Sequence, residues 1–167
     1  MKDKIRIVQR DILQLKVDAI ICQANQELEI EDPDVKRLFN AGGDEVYSDC
    51  DNLYNLDLGS AVVTSAGALP AQYIIHAVMN ENGKLAEEEI AMLAIASALQ
   101  KARELQLQSV SMLLIGQSVG IPMKRSAELI FSEIKKHCDD ATSLTKIYLV
   151  ATSDYEEESL EDALKQM

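Results

Sequence analysis

IRIVQRDILQLKVDAIICQAN, residues Ile5 to Asn25, is the stretch whose reading decides the fold. Two short β-branched runs, Ile5–Gln9 and Asp18–Cys22, flank a polar connection that carries Arg10-Asp11-Ile12. The second run is almost wholly apolar through Ala19, Ile20, Ile21 and Cys22, as expected of a strand covered on both faces. It is expected to stop on the polar cluster Gln23-Ala24-Asn25-Gln26. In an open α/β sheet, ligands bind outside the carboxyl ends of such strands. Asp11 and Asn25 are therefore candidate ligand contacts. Asp and Asn also form turns at strand ends, so position alone leaves both roles open.

Outward from this stretch, strands and helices alternate. Asp32-Pro33 reads as a helix cap followed by proline at the first helical position. Val35, Leu38 and Phe39 form the apolar stripe of that helix, and Ala41-Gly42-Gly43 ends it. Asp44 can cap a second helix, with Val46, Tyr47, Cys50 and Tyr54 on one side. Gly59–Ser65 and Gln72–Val78 read as strands around a turn at Ala66–Pro70, with a loop at Asn80–Gly83. A long Ala-rich helix is predicted over Leu85–Leu105, with Glu87, Glu88 and Glu89 at the positive end of its dipole. Val110–Ile115 is another buried strand, followed by the loop Gly116–Pro122. An amphipathic helix follows over Lys124–Cys138. Lys146–Ala151 is the last strand, and Ser153 caps a terminal helix through Leu160 and Leu164. The order β, β, α, α, β, β, α, β, α, β, α predicts a three-layer α/β/α fold with a mixed central sheet.

The 167 residues suit a single domain spanning 1–167 with a substantial core. The formal net charge is -12, which argues against nucleic-acid binding, because phosphate neutralisation requires an excess of Lys and Arg. No apolar run approaches the roughly 20 residues needed to span a bilayer, so no membrane association is expected. Met1-Lys2-Asp3-Lys4 leads straight into a strand rather than a secretory signal. Cys22, Cys50 and Cys138 have no metal-site spacing, and their odd number points to a reducing, cytoplasmic setting. No cofactor or metal motif is present. His76, inside an apolar strand, reads as a core histidine. His137, after Lys135-Lys136, sits where a cation suits the helix dipole. Cys22 has no base evident beside it and reads as a structural thiol.

Taken together, these segments resemble the macro domain, an ADP-ribose-binding module. Arg10-Asp11-Ile12 resembles the family's G-D-I, and VDAIICQAN (Val17–Asn25) resembles V-D-A-I-V-N-A-A-N. Ala41-Gly42-Gly43 sits where A-A-G closes the next helix. GSAVVTSAGALPAQYIIHAV (Gly59–Val78) resembles G-x-A-x-x-T-x-x-x-x-L-P-x-x-x-I-I-H-A-V. The resemblance implies that Asp11 accepts from the adenine amino group, Ile12 offers its backbone amide, and Asn25 binds the distal ribose. It also implies that the loop holding Ser118, Val119, Gly120 and Ile121 faces the phosphates.

The phosphate apparatus departs from the pattern. Where the family places a run of glycines, an ungapped alignment puts Ile30-Glu31-Asp32-Pro33, which adds like charge and removes a donor. The second loop, Gly116-Gln117-Ser118-Val119-Gly120, is one residue shorter than S-T-G-x-x-G. The first Asn of N-A-A-N is Cys22, and Thr152 or Ser153 replaces the aromatic that stacks on adenine. With the adenine and ribose positions kept, the resemblance implies binding of ADP-ribose or a related adenine nucleotide or nucleoside, and these departures argue against efficient hydrolysis. Two alternatives stand beside it. One is a degenerate macro fold serving as a scaffold for a protein partner, with Glu156-Glu157-Glu158 on its acidic face. The other is an ADP-ribosyl hydrolase of the Appr-1''-p processing type.

Overall fold

The computed structural model describes all residues, Met1 to Met167. Six strands, β1 (Ile5–Val8), β2 (Ala19–Asn25), β3 (Ala61–Ser65), β4 (Tyr73–Asn80), β5 (Ser109–Leu113) and β6 (Lys146–Val150), form one sheet in the order β1-β6-β5-β2-β4-β3. Only β3 runs antiparallel to its neighbour, so the sheet is mixed. Five helices cover it: α1 (Pro33–Gly42), α2 (Asp44–Asp51), α3 (Glu88–Glu104), α4 (Met123–Asp139) and α5 (Asp154–Lys165). The expected order of elements and the three-layer fold are both present.

Side chains on β2 alternate between the two cores, as the period of two requires. Ile21 packs with Ile95 and Leu99 of α3 and with Ile130 and Ile134 of α4. Ile20 and Cys22 pack on the opposite face with Leu38 of α1 and Val46 of α2. Ile20 and Ile74 are both fully buried, and truncating either to Ala should cost about 2–5 kcal/mol.

Local signals explain the helix ends nearest the groove. Asp32 Oδ1 accepts from Asp34 N at 2.8 Å and Val35 N at 3.2 Å, and Pro33 opens the helix without an N–H to satisfy. Gly43, at φ +82°, ends α1 in a conformation that disfavours a side chain.

Several expectations need correction. The polar cluster Gln23–Asn25 does not end β2, because these residues continue the ladder against Ala77, Val78 and Asn80 of β4. Asp44 makes no cap; Gly43 holds that position and Asp44 is the first helical residue. Tyr54 lies beyond the end of α2 and is 70% exposed rather than packed. The Ala-rich helix begins at Glu88, leaving Leu85 exposed in the preceding loop. His137 is buried, and its Nε2 meets Thr142 Oγ1 at 2.8 Å. Burial, and then Arg103, push its pKa down to about 4, so it is neutral at pH 7. Arg103 brings a cation to the end of α4 from α3, its Nη2 donating to the His137 carbonyl at 2.8 Å.

Candidate functional site

The parallel strands β1, β6, β5 and β2 end at one edge of the sheet, and a groove runs across those ends. Its first compartment is open. The connection Gln9–Ile12 after β1, Ala151-Thr152 after β6, Leu113 of β5 and Arg37 of α1 enclose about 300 Å³. Asp11 caps the 3-10 turn Ile12–Gln14, with Oδ1 accepting from Leu13 N at 3.0 Å. The same oxygen accepts from Arg37 Nη2 at 3.3 Å, which leaves Oδ2 free for a ligand amine. The Ile12 side chain is buried beneath the compartment while its amide donates to no protein carbonyl.

The middle compartment shares Ile12 and Leu113 with the first but holds only about 20 Å³. Asp32, Asp34 and Cys22 line it. Burial, with Asp32 as the next cause, raises the Asp34 carboxyl above the usual range. Beneath it, Cys22 Sγ lies 3.7 Å from His76 Nδ1, so the structure supplies the neighbouring base that sequence reading did not find. The pair is not an activated nucleophile. Burial pushes the Cys22 thiol up and the His76 imidazole down to about 4, which keeps both neutral at pH 7. His76 Nε2 meets Thr64 Oγ1 at 2.8 Å, and that hydroxyl donates to the Ser65 carbonyl at 3.2 Å. This arrangement puts the imidazole proton on Nε2 and leaves Nδ1 to accept from the thiol.

The third compartment, at Asn25, Glu29, Glu31, Asp32 and Asn80, is nearly shut at about 10 Å³. Asn25 is 2% exposed. Its Oδ1 accepts from Glu27 N at 3.1 Å and Glu29 N at 3.0 Å, and its Nδ2 donates to the Glu29 carbonyl at 3.0 Å. One N–H of the amide remains for a ligand. Across the gap, Glu31 accepts from Asn80 Nδ2 at 2.9 Å and from the Gly83 amide, while Glu29 accepts from Asn82 Nδ2. These contacts latch the segment after β2 onto the loop after β4. Leu28, buried at φ +52°, pins the turn from inside. At the start of α1, Asp34 N and Val35 N donate to Asp32 Oδ1, Lys36 N donates to the Asp32 carbonyl at 3.0 Å, and Pro33 has no donor. No first-turn amide of this helix is left for an anion, although a helix N-terminus commonly binds one.

The loop after β5 makes a 3-10 turn, Gln117–Val119, between Gly116 and Gly120, both left-handed at φ +92° and +97°. Val119 N and Ile121 N donate to the Gly116 carbonyl at 3.1 and 2.9 Å, and Gly120 N reaches the Gln117 carbonyl at 3.4 Å. Three of the four amides expected at a phosphate are therefore engaged inside the loop. Ser118 is exposed, and its Oγ accepts from Gln23 Nε2 at 2.9 Å. Gln23 Oε1 also accepts from Gly116 N at 2.8 Å. Gln23 therefore clamps this loop to β2, a role with no local signature in the sequence. Of the residues expected at the site, Asp11 and Ile12 meet in the open compartment and Asn25 lies in the closed one. Ser118, Val119, Gly120 and Ile121 line none of the three.

A family model described as Macro domain matches residues 23–130. The chain belongs to the macro domain family. A Methanosarcina mazei macro domain-containing protein is 29% identical, over 99% of this chain and 90% of its own. An uncharacterized Thermotoga maritima protein is 35% identical over 85% of this chain. The chain spans only 25% to 38% of the length of the first curated relatives it matches. Among solved structures, a Trypanosoma brucei macrodomain in complex with ADP-ribose superposes with a TM-score of 0.87 at 18% identity. That match covers 96% of this chain and 69% of the other. The groove of this macro domain is open at its Asp11 end and closed at its Asn25 end by the chain's own carboxylates.

Proposed function

We propose that this macro domain binds the adenosine portion of a nucleotide in the compartment at Asp11 and Ile12. It admits ADP-ribose only when the Glu29–Asp32 segment moves aside. One observation carries the reading: the groove is open, at about 300 Å³, at its Asp11 end and nearly shut, at about 10 Å³, at its Asn25 end. The related Trypanosoma brucei macrodomain, solved with ADP-ribose and with ADP, makes an adenine nucleotide the natural ligand class. Hydrolysis is not part of the proposal. Asn25 holds its own turn, and neither Cys22 nor His76 is charged at pH 7. No helix is long and apolar enough to cross a membrane, and the three unpaired cysteines suit a reducing cytoplasm.

Calorimetric titration with adenosine, AMP and ADP-ribose tests the reading. Saturable binding of adenosine is expected, with ADP-ribose gaining less than about tenfold, or 1.4 kcal/mol, from its added diphosphate and ribose. A gain of about a thousandfold would show that the closed compartments open readily and that the Asp11 end does not dominate.

A further inference from the structure

The open compartment has an unusual wall for a base. Ile12, Leu113, Ala151 and Thr152 give it aliphatic and small surfaces, and no aromatic side chain lines it. The flat groups available to a purine face are the guanidinium groups of Arg10 and Arg37, and the two differ. Arg10 is exposed and makes no ion pair or hydrogen bond through its side chain. Arg37 donates through Nη2 to Asp11 at 3.3 Å, its Nη1 lies 4.0 Å from the Asp34 carboxylate, and its side chain is 51% exposed.

We propose that Arg37 is a ligand-binding residue, its guanidinium providing the face on which the base stacks. The inference rests on the adenosine reading and adds a contact to it. A guanidinium is planar, delocalised and weakly hydrated, so it stacks on aromatic faces in a way that a lysine ammonium does not. Two carboxylates lie beside this one before the ligand arrives and favour its placement at the compartment wall, which lowers the side-chain freedom lost on binding. An exposed ion pair contributes little to folding, so stability alone gives Arg37 little to do. The contact also explains how a recess without Phe, Tyr or Trp can hold a purine.

The test uses the full chain, with adenosine and with purine riboside, the same nucleoside without the exocyclic amine. Wild type, Arg37→Gln and Arg37→Lys are titrated by calorimetry, and their melting curves confirm folding. Stacking predicts that Arg37→Gln weakens both nucleosides by the same factor, roughly 2- to 30-fold. Arg37→Lys should not restore the affinity, because it keeps the charge and loses the plane. A loss confined to adenosine would mean that Arg37 merely orients Asp11 toward the amine and would overturn the proposal. So would wild-type affinity in Arg37→Lys. Wild type that binds neither nucleoside refutes the adenosine reading and this contact with it, an outcome distinct from either failure of Arg37 alone.

Discussion

At one end of the groove, Asp11 keeps a carboxylate oxygen uncommitted beside Arg37. At the other end, each carboxylate is bound to a neighbouring N–H: Glu29 to Asn82, Glu31 to Asn80 and Gly83, Asp32 to the first turn of α1. The same residue types thus do opposite work. At the open end an acid can read a ligand donor. At the closed end the acids act as internal anions, and Asp32 occupies the helix N-terminus in the manner of a bound phosphate. The donors at the start of α1 are satisfied from within, so an outside anion would have to displace Asp32 to use them.

Between the two ends, Cys22 lines the middle compartment above the neutral Cys22–His76–Thr64 chain, and the largest effect we expect at the groove is there. The His76 pKa falls from 6.5 in the unfolded chain to about 4 in the fold, because burial disfavours the cation. Between these values the unfolded chain holds more protons, so stability rises with pH across that window. It is intact above about pH 6.5 and declines as the pH falls toward 4, by about 3 kcal/mol in all. Urea denaturation across this range should show the loss, and His76→Gln should reduce the slope, leaving the part contributed by His137, which is also held near 4. Equal slopes in the two proteins would mean that His76 is not held neutral.

Next in size is the open end itself. Asp11→Ala should weaken adenosine by about 1.5–3 kcal/mol, the worth of a hydrogen bond to a charged group, or roughly 10- to 150-fold. Calorimetry showing equal affinity for wild type and variant would remove Asp11 from the site and erase the contrast between the two ends.

The closed end is tested by changing Glu31 and Asp32 together to Gly. The double change removes two negative charges, frees the amides of Asp34, Val35 and Gly83, and removes the Glu31 side of the latch. A glycine at the cap position costs only a few tenths of a kcal/mol, so the fold should survive. The gain for ADP-ribose should be about 1–2 kcal/mol after screening, roughly 5- to 30-fold, with little change for adenosine. Titration of both ligands at low and high salt checks it. Equal gains for both would show that the segment does not face the phosphates.

The difference between the ends also separates what the sequence discloses from what it hides. The sheet, its two apolar layers and the Asp32-Pro33 cap were legible, because hydrophobic period and capping chemistry are local. Asp11-Ile12 was legible as a motif at a strand end. The latch was not, since Glu31 meets Asn80 across 49 residues and Glu29 meets Asn82 across 53. Cys22 meets His76 across 54 residues, and Gln23 reaches Ser118 across 95. Residues brought together only by strand order leave no periodic trace. The polar end of β2 misled for a related reason: Gln23 and Asn25 look like a loop until β4 is placed beside them. Arg37 looks like any charge on the solvated face of a helix.

The smallest expected effect separates the two roles of Asp32, which caps α1 and also adds negative charge to the groove. Asn caps a helix about as well as Asp, because its side-chain oxygen accepts the same amide donors, whereas Ala accepts none. Asp32→Ala should therefore cost about 1 kcal/mol of stability. Asp32→Asn should cost only the lost attraction between a carboxylate and the helix dipole, about 0.3–1 kcal/mol. Both remove the charge. If the charge is what opposes a phosphate, ADP-ribose affinity should rise in both variants by a similar, small factor. If cap occupancy of the Asp34 and Val35 amides is what matters, only Asp32→Ala should gain, because Asn still holds those donors. Paired melting curves and ADP-ribose titrations of the two variants decide between charge and occupancy. No gain in either, with both folded, would mean that the N-terminus of α1 is not where this groove resists an anion, and that the barrier lies with Glu29 and Glu31, which tie the segment after β2 to the loop after β4.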